Sequence, residues 1–233
     1  PPCLFYRANA VGGLLSNFHD CERGWPFSIP DWCEARTLGA QSLPTTVYIS
    51  FAEKGVMLCK AALMKDFASY RLLLLADAPA RAKALGRAVS PWKQPLWDQK
   101  VCAIALAVVR AKSEARPDVR ELLLTTGSRL LAEASPTDAV WGIGLSAADR
   151  RARQPATWQG ANVLGWAWME ERQRLQWGAR PCPSTLKVPT DSREEEVQPP
   201  PPNSSDSIPG PETASTGVGS DGSSNQRHDE TLE

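Results

Sequence analysis

Apolar positions along this chain fall mainly at helical spacing, and strand character is confined to short stretches. Val47-Tyr48-Ile49-Ser50-Phe51 reads as a strand that runs into a helical pattern over 52–67, where Val56, Met57, Leu63, Met64 and Phe67 recur. Asp77-Ala78-Pro79 is a helix start, with an N-cap and a first-turn proline, and Gly86 is its expected stop. A longer helix is predicted over 95–115, with Trp97, Val101, Ile104, Ala105 and Val108 spaced by threes and fours. Pro117-Asp118 opens another, through Leu124 to a close near Gly127. The last is expected over 162–177, with Leu164, Trp168 and Leu175 on one face and Gly178 past its end. The turn-rich opening around Gly12-Gly13 and Pro26 yields no defined element. Together these patterns predict an α+β fold: a predominantly helical single domain with a few short strands, its site carried on loops.

Composition divides the 233 residues near Lys187. Residues 189–233 hold seven Pro, eight Ser, ten acidic residues, two Arg and no aromatics, too little apolar surface to offset ordering entropy. A domain over 1–188 followed by a disordered acidic Pro/Ser-rich tail over 189–233 is expected. The tail either shields a basic face or serves as a solubilising extension. Of 26 basic and 26 acidic residues, 2 and 10 lie in the tail, so the domain carries a net charge of +8. That excess suits a phosphorylated substrate or nucleic acid, and equally a scatter of solvating charge.

Six cysteines at 3, 21, 33, 59, 102 and 182 form no C-x-x-C pair, so free thiols in a reducing compartment are expected and no metal site. No apolar run approaches a bilayer span, and the expected location is intracellular, cytoplasmic or nuclear. The start, Pro1-Pro2-Cys3, has neither an initiator Met nor a signal-peptide pattern and is expected to be an artificial or gene-model boundary. P-loop, G-x-G-x-x-G, H-E-x-x-H and G-x-S-x-G motifs are missing, and His19 and His228 are the only histidines. Chemistry therefore rests on carboxylates, lysine and pre-organised polar groups.

The densest chemistry lies in Asp138-Ala139-Val140-Trp141-Gly142-Ile143-Gly144-Leu145 and Trp158-Gln159-Gly160-Ala161-Asn162-Val163-Leu164-Gly165. A carboxylate, indoles, an amide and glycines at irregular spacing suit a ligand pocket: Gly142 and Gly144 would let backbone approach a sugar, and Trp141 would stack. Glu53 and Lys60, seven residues apart on the 52–67 helix, fall on one face, as pocket groups or as two solvated charges.

Across residues 15–175 the chain resembles the NADAR family, the YbiA-like proteins. The matching pieces are Leu15-Ser16-Asn17-Phe18, Ala52-Glu53 with Met57 and Lys60-Ala61, Lys83-Ala84-Leu85-Gly86-Arg87, Trp97, Thr126-Gly127, Glu133-Ala134-Ser135, the two segments above and 169–175. Their order and spacing carry the resemblance. It implies an N-glycosidase, acting either on ADP-ribosylated guanine in DNA or RNA or on phosphoribosylaminopyrimidine intermediates of riboflavin biosynthesis. A third reading keeps the domain as a non-catalytic ADP-ribose-binding module.

Breaking a ribosyl C1′–N bond builds positive charge on the sugar and negative charge on the leaving nitrogen, so carboxylates and a proton donor are needed. Glu53 and Asp138 match the acidic positions, with Glu53 the principal acid/base or oxocarbenium-stabilising group and Asp138 orienting ribose hydroxyls or water. Lys60 would hold phosphate, acidify a neighbour or form a Schiff base with the ring-opened sugar, given a depressed pKa near Lys83 or Arg87. Arg87 is placed to reach phosphate, Trp97 to stack or to belong to the core, Ser16 and Asn17 to donate to phosphate or sugar, and Phe18 to anchor them. Asn162 would contact ligand or cap the final helix. No cofactor is expected, NAD being at most the source of the ADP-ribose. The family usually has an aromatic or polar residue, often tyrosine, where Gly55 stands, so Gly55 is expected either to enlarge the pocket for a bulkier leaving group or to weaken ligand stacking.

Overall fold

The computed structural model describes residues 1–33 and 40–177. The expected tail, the 188/189 boundary, Cys182 and the stop at Gly178 lie outside them. The described residues build the expected α+β fold, with four short strands and six α-helices. Strand β1 (Cys3–Phe5) pairs in parallel with β4 (Leu131–Glu133), Phe5 opposite Glu133, while β2 (Trp25–Ser28) pairs antiparallel with β3 (Thr46–Ile49). Both β2 and β3 alternate buried and exposed residues, the period-two pattern of strands with one face on a core.

Helix α1 (Ala52–Leu63) is buried on almost every side. It packs against α2 (Phe67–Leu74), α3 (Pro79–Arg87) and α4 (Gln94–Ala115). The 22-residue α4 also packs on α5 (Pro117–Thr125) and α6 (Val163–Trp177). Its buried stripe of Trp97, Val101, Ile104, Ala105 and Val108 is the one its spacing predicted. No described helix is long and apolar enough to cross a membrane.

Several boundaries differ from the sequence expectation, each for a local reason. The 52–67 helix divides at Met64-Lys65-Asp66: Lys65 is left-handed at φ 62°, and the Asp66 carboxylate accepts the Ser69 N–H at 3.0 Å to cap α2. Asp77 does not cap α3. Ala78 holds that position, and Asp77 instead pairs with Arg81 at 3.8 Å on the surface. Gly86 does not stop α3 either. It lies inside the helix because Met57 packs where its side chain would be, a Cβ there falling within about 1.8 Å of the Met57 sulfur. Gly127 does close α5, at φ 59° just after the C-cap Thr126.

Gly55 corrects a second expectation. It is buried, and a Cβ would point not at a pocket but into the core, 3.1 Å from Ile49 Cδ1, 3.3 Å from Val108 Cγ2 and 3.4 Å from Phe27 Cδ1. The absent side chain lets α1 close on β2, β3 and α4. Gly55→Tyr is therefore expected to destabilise the fold by about 3 kcal/mol or more through overpacking, read as a lowered urea midpoint. An unchanged midpoint with an altered substrate range would restore the enlarged-pocket reading.

Candidate functional site

The first turn of α1 places Glu53 at the floor of a cavity of about 440 Å³. Phe51 is extended at the N-cap and offers no side-chain cap, so the helix satisfies an early N–H through Glu53 N donating to the Asn17 carbonyl at 2.9 Å. That bond ties the Ser16–Phe18 loop to the helix start. Two buried groups fasten the same loop from behind: Lys112 Nζ donates to Ser16 O at 2.9 Å, and Trp168 Nε1 to Leu15 O at 2.8 Å. Burial pushes the fully enclosed Lys112 down to about 8, Cys21 and Asp118 opposing the fall and Arg116 adding to it.

Lys60, two turns further along α1, lines the same cavity. Its ammonium stands over two indoles, 4.4 Å from the Trp92 ring and 5.6 Å from the Trp97 ring. Burial lowers the Lys60 pKa, Glu53 opposing this and Arg87 assisting. Helix α3 supplies Lys83 and, as its last residue, Arg87. Lys83 Nζ lies 3.6 Å from Asp138 Oδ2 and 5.4 Å from the Phe18 ring.

The loop after β4 closes the opposite wall with Thr137, Asp138, Ala139, Val140 and Trp141. Asp138 Oδ1 accepts the N–H groups of Val140 and Trp141 at 3.1 and 2.9 Å, which fixes the carboxylate and leaves Oδ2 toward Lys83. Among the sequence-predicted residues, Asn17, Phe18, Glu53, Lys60, Arg87, Trp97, Asp138 and Trp141 thus share one cavity. Ser16 lines a second, adjoining cavity, and its Oγ accepts the Phe18 N–H at 3.2 Å.

Gly142, Gly144 and Asn162 do not line this cavity. The glycines serve chain packing rather than approach of backbone to ligand. A Cβ on Gly142 would meet Glu133 O at 2.7 Å, and one on Gly160 would meet Gly142 O at 2.3 Å. With those side chains absent, residues 139–143 accept a series of backbone bonds from 159–164, including Ala161 N to Ala139 O at 2.8 Å and Gln159 N to Ile143 O at 2.9 Å. Gly144 has φ 68° and turns the chain against Gln159. Asn162 is left-handed at φ 54° and does not act as a cap. Its amide braces β4, accepting from Glu133 N at 3.1 Å and donating to Leu131 O at 2.9 Å.

Sequence reasoning gave no role to Glu133 or Trp92. Glu133 belonged to a matching motif, which was the available signal, and it lines both cavities. Trp92 is exposed and outside any amphipathic stripe, so nothing in the pattern marked it.

The electrostatics centre on the two glutamates. Burial raises Glu53 to about 7, Asp138 adding to the rise while Lys83, Lys60 and Arg87 oppose it. Burial likewise raises Glu133 to about 8, with Asp138 and Glu53 adding and Lys83 opposing. Both carboxyls are therefore poised to exchange protons near neutral pH, the property required of general acids and bases.

A profile of the NADAR domain matches residues 4–176. The chain belongs to the NADAR domain family. It is 34% identical over 129 residues to an N-glycosidase of Acanthamoeba polyphaga mimivirus, an alignment covering 55% of this chain and 75% of that protein. Over 179 residues it is 36% identical to the protein irg-1 of Caenorhabditis elegans, covering 74% of this chain and 78% of the relative. An N-glycosidase of Nostoc punctiforme is 36% identical over 112 residues, covering 48% and 65%. Among solved structures, the NMR structure of the Escherichia coli protein YbiA shares the fold, with a TM-score of 0.53 at 22% identity over 75% of this chain and 84% of that one.

Burial of Glu53 has a sign that stability can test. Its folded pKa lies above the ordinary carboxylate value, so its contribution is fully retained below about 4.5 and is lost as pH rises through about 7. Glu53→Gln should accordingly be more stable than the wild type at pH 8.5, by up to about 3 kcal/mol, and indistinguishable from it near pH 4. Thermal denaturation across that range checks the prediction; a Gln variant less stable at pH 8.5 would mean that the charged form is favoured in the fold.

Proposed function

We propose that this NADAR protein is a hydrolase of N-glycosyl bonds whose substrate is the bond between ADP-ribose and guanine in nucleic acid. The relatives named N-glycosidases support the reaction class. One observation carries the reading to substrate: a buried carboxyl raised to about 7 shares a cavity with Lys60, Lys83, Arg87 and the indoles of Trp92, Trp97 and Trp141. Cations suit a pyrophosphate, indoles suit flat or apolar ligand faces, and a half-ionised carboxyl suits proton transfer. The domain's net charge of +8 favours a nucleic-acid substrate over a small one.

In this reading Glu53 accepts a proton from the attacking water, or as carboxylate steadies the oxocarbenium ion. Asp138, pinned by two backbone N–H groups, orients the ribose hydroxyls or that water. Lys60, with its pKa lowered by burial, is the amine suited to capture ring-opened ribose as a Schiff base.

Incubation of the protein with ADP-ribosylated guanine DNA, and separately with phosphoribosylaminopyrimidine, tests this by mass analysis of released sugar. ADP-ribose should appear with the first substrate, and Glu53→Gln should lower its rate roughly 10²–10⁴-fold. Preferential release of ribose phosphate from the second substrate would move the protein to riboflavin intermediates, and ADP-ribose binding without release from either would make it a reader. Borohydride reduction with ADP-ribose should leave an adduct on Lys60. If Lys60 stays unmodified, its role is electrostatic.

A further inference from the structure

The cavity described above is bordered by a second of about 450 Å³, and Phe18, Lys83, Glu133, Thr137 and Asp138 belong to both walls. Beyond that shared wall the chemistry changes. The first cavity holds Lys60, Arg87 and the indoles; the second is lined by Tyr6, Arg7, Asn9, Ser16 and Ser135. It thus offers one phenol, one guanidinium and several neutral hydrogen-bonding groups, a set suited to a heterocycle and an adjoining phosphate.

Glu133 stands on the divide. It ends β4, where pairing with Phe5 and the bond from its N–H to Asn162 Oδ1 fix its backbone. Its Oε2 is buried and has no hydrogen-bond partner, an unfavourable arrangement that a ligand group bonding there would relieve.

Resting on the N-glycosidase reading, we propose that Glu133 is the acid that protonates the leaving nitrogen, and that the cavity lined by Tyr6, Arg7 and Asn9 receives the departing base. The sugar and its phosphates then lie on the Lys60–Arg87 side, with C1′ at the shared wall. The C1′–N bond breaks with its electron pair going to nitrogen, and the Glu133 carboxyl proton passes to that nitrogen. A water oxygen bonds to C1′ and its proton passes to Glu53. The products are a free hemiacetal and a neutral base, with one proton moved from Glu133 to Glu53 and restored by solvent.

The groups facing Glu133 support this division of labour. Asp138 from the loop and Glu53 from α1 favour its protonated form, and Lys83 from α3 opposes them less than burial and the carboxylates assist. Both glutamates are raised toward neutral pH and feel one another's charge, so one can hold a proton while the other is ionised, and the unpartnered Oε2 at the shared wall puts the proton donor at Glu133.

The test measures kcat and KM against pH for wild type, Glu133→Gln and Glu133→Asp, on whichever of the two N-ribosyl substrates the wild type cleaves. Wild-type kcat should fall above about pH 8. Glu133→Gln should lower kcat roughly 10²–10⁴-fold with KM little changed and should lose that alkaline limb, while Glu133→Asp, which keeps a carboxyl, should recover part of the rate. Full activity in Glu133→Gln, or an alkaline limb that persists in it, overturns the acid assignment while leaving the N-glycosidase reading intact; failure of the wild type on both substrates overturns both. Arg7→Ala should raise KM for the modified oligonucleotide and leave the affinity for free ADP-ribose unchanged. Lost ADP-ribose affinity would place the phosphates in the second cavity and overturn the proposed polarity.

Discussion

Everything at this site depends on one unfavourable act, the burial of a carboxyl in the first turn of a helix that is itself enclosed. Glu53 is only 5% exposed, and α1 has neighbours on nearly every side. A carboxylate placed there without compensation would be expelled or permanently protonated. Lys83, Lys60 and Arg87 supply part of the compensation, and the positive end of the α1 dipole adds to it. The balance leaves the group near neutrality rather than fully charged. Packing and electrostatics are thus one problem, since the enclosure that makes α1 a core helix also raises the Glu53 carboxyl toward neutral pH.

Holding that balance requires a rigid wall opposite the helix, and the fold provides it with polar groups used structurally. Lys112 lies in the core on α4 and spends its ammonium on the carbonyl of Ser16; Trp168 of α6 binds the carbonyl of Leu15. The loop so fixed returns the Asn17 carbonyl to Glu53 N, so three helices converge on a segment of three residues. On the far wall Asp138 accepts two N–H groups from its own turn, and the paired segments 139–143 and 159–164 hold that turn against β4. Asn162 completes the brace from the start of α6. Each catalytic candidate stands on an element or on a loop locked to one, which keeps the geometry from relaxing around a buried charge.

Legibility followed physical locality. Helices α4, α5 and α6 were readable because threefold and fourfold apolar spacing acts within a few residues, as do the first-turn prolines of α4 and α5 and the glycine after α5. The division at Lys65-Asp66 escaped because the apolar pattern continues through it, and only the competing Asp66 cap interrupts the helix. Gly86 and Gly55 misled for a related reason. A glycine can mark a helix end, a ligand approach or a close contact between elements, and only the positions of Met57, Ile49, Val108 and Phe27 select the last. The same ambiguity assigned Gly142 and Gly144 to a ligand when they admit a neighbouring strand of chain.

Glu133 shows where such reading ends. A Glu at the end of a three-residue strand carries no periodic signal, and of its charged neighbours only Asp138, five residues on, is local, while Glu53 and Lys83 come from distant helices. Charge exerts its effect through space, so the group's character also depends on long-range packing that no local window contains. Trp92 is the apolar counterpart: exposed on its own, it acquires meaning only because Lys60 of α1 stands over its ring and Trp97 of α4 lies 5.6 Å away. A motif can point to such residues, but their chemistry arises only when α1, α3, α4 and the loop after β4 meet around one volume. The fold's contribution is therefore to enclose Glu53, Glu133 and Lys60 beside Asp138, Lys83 and Arg87, which makes the protonation of those three groups a property of the assembled site rather than of residue type.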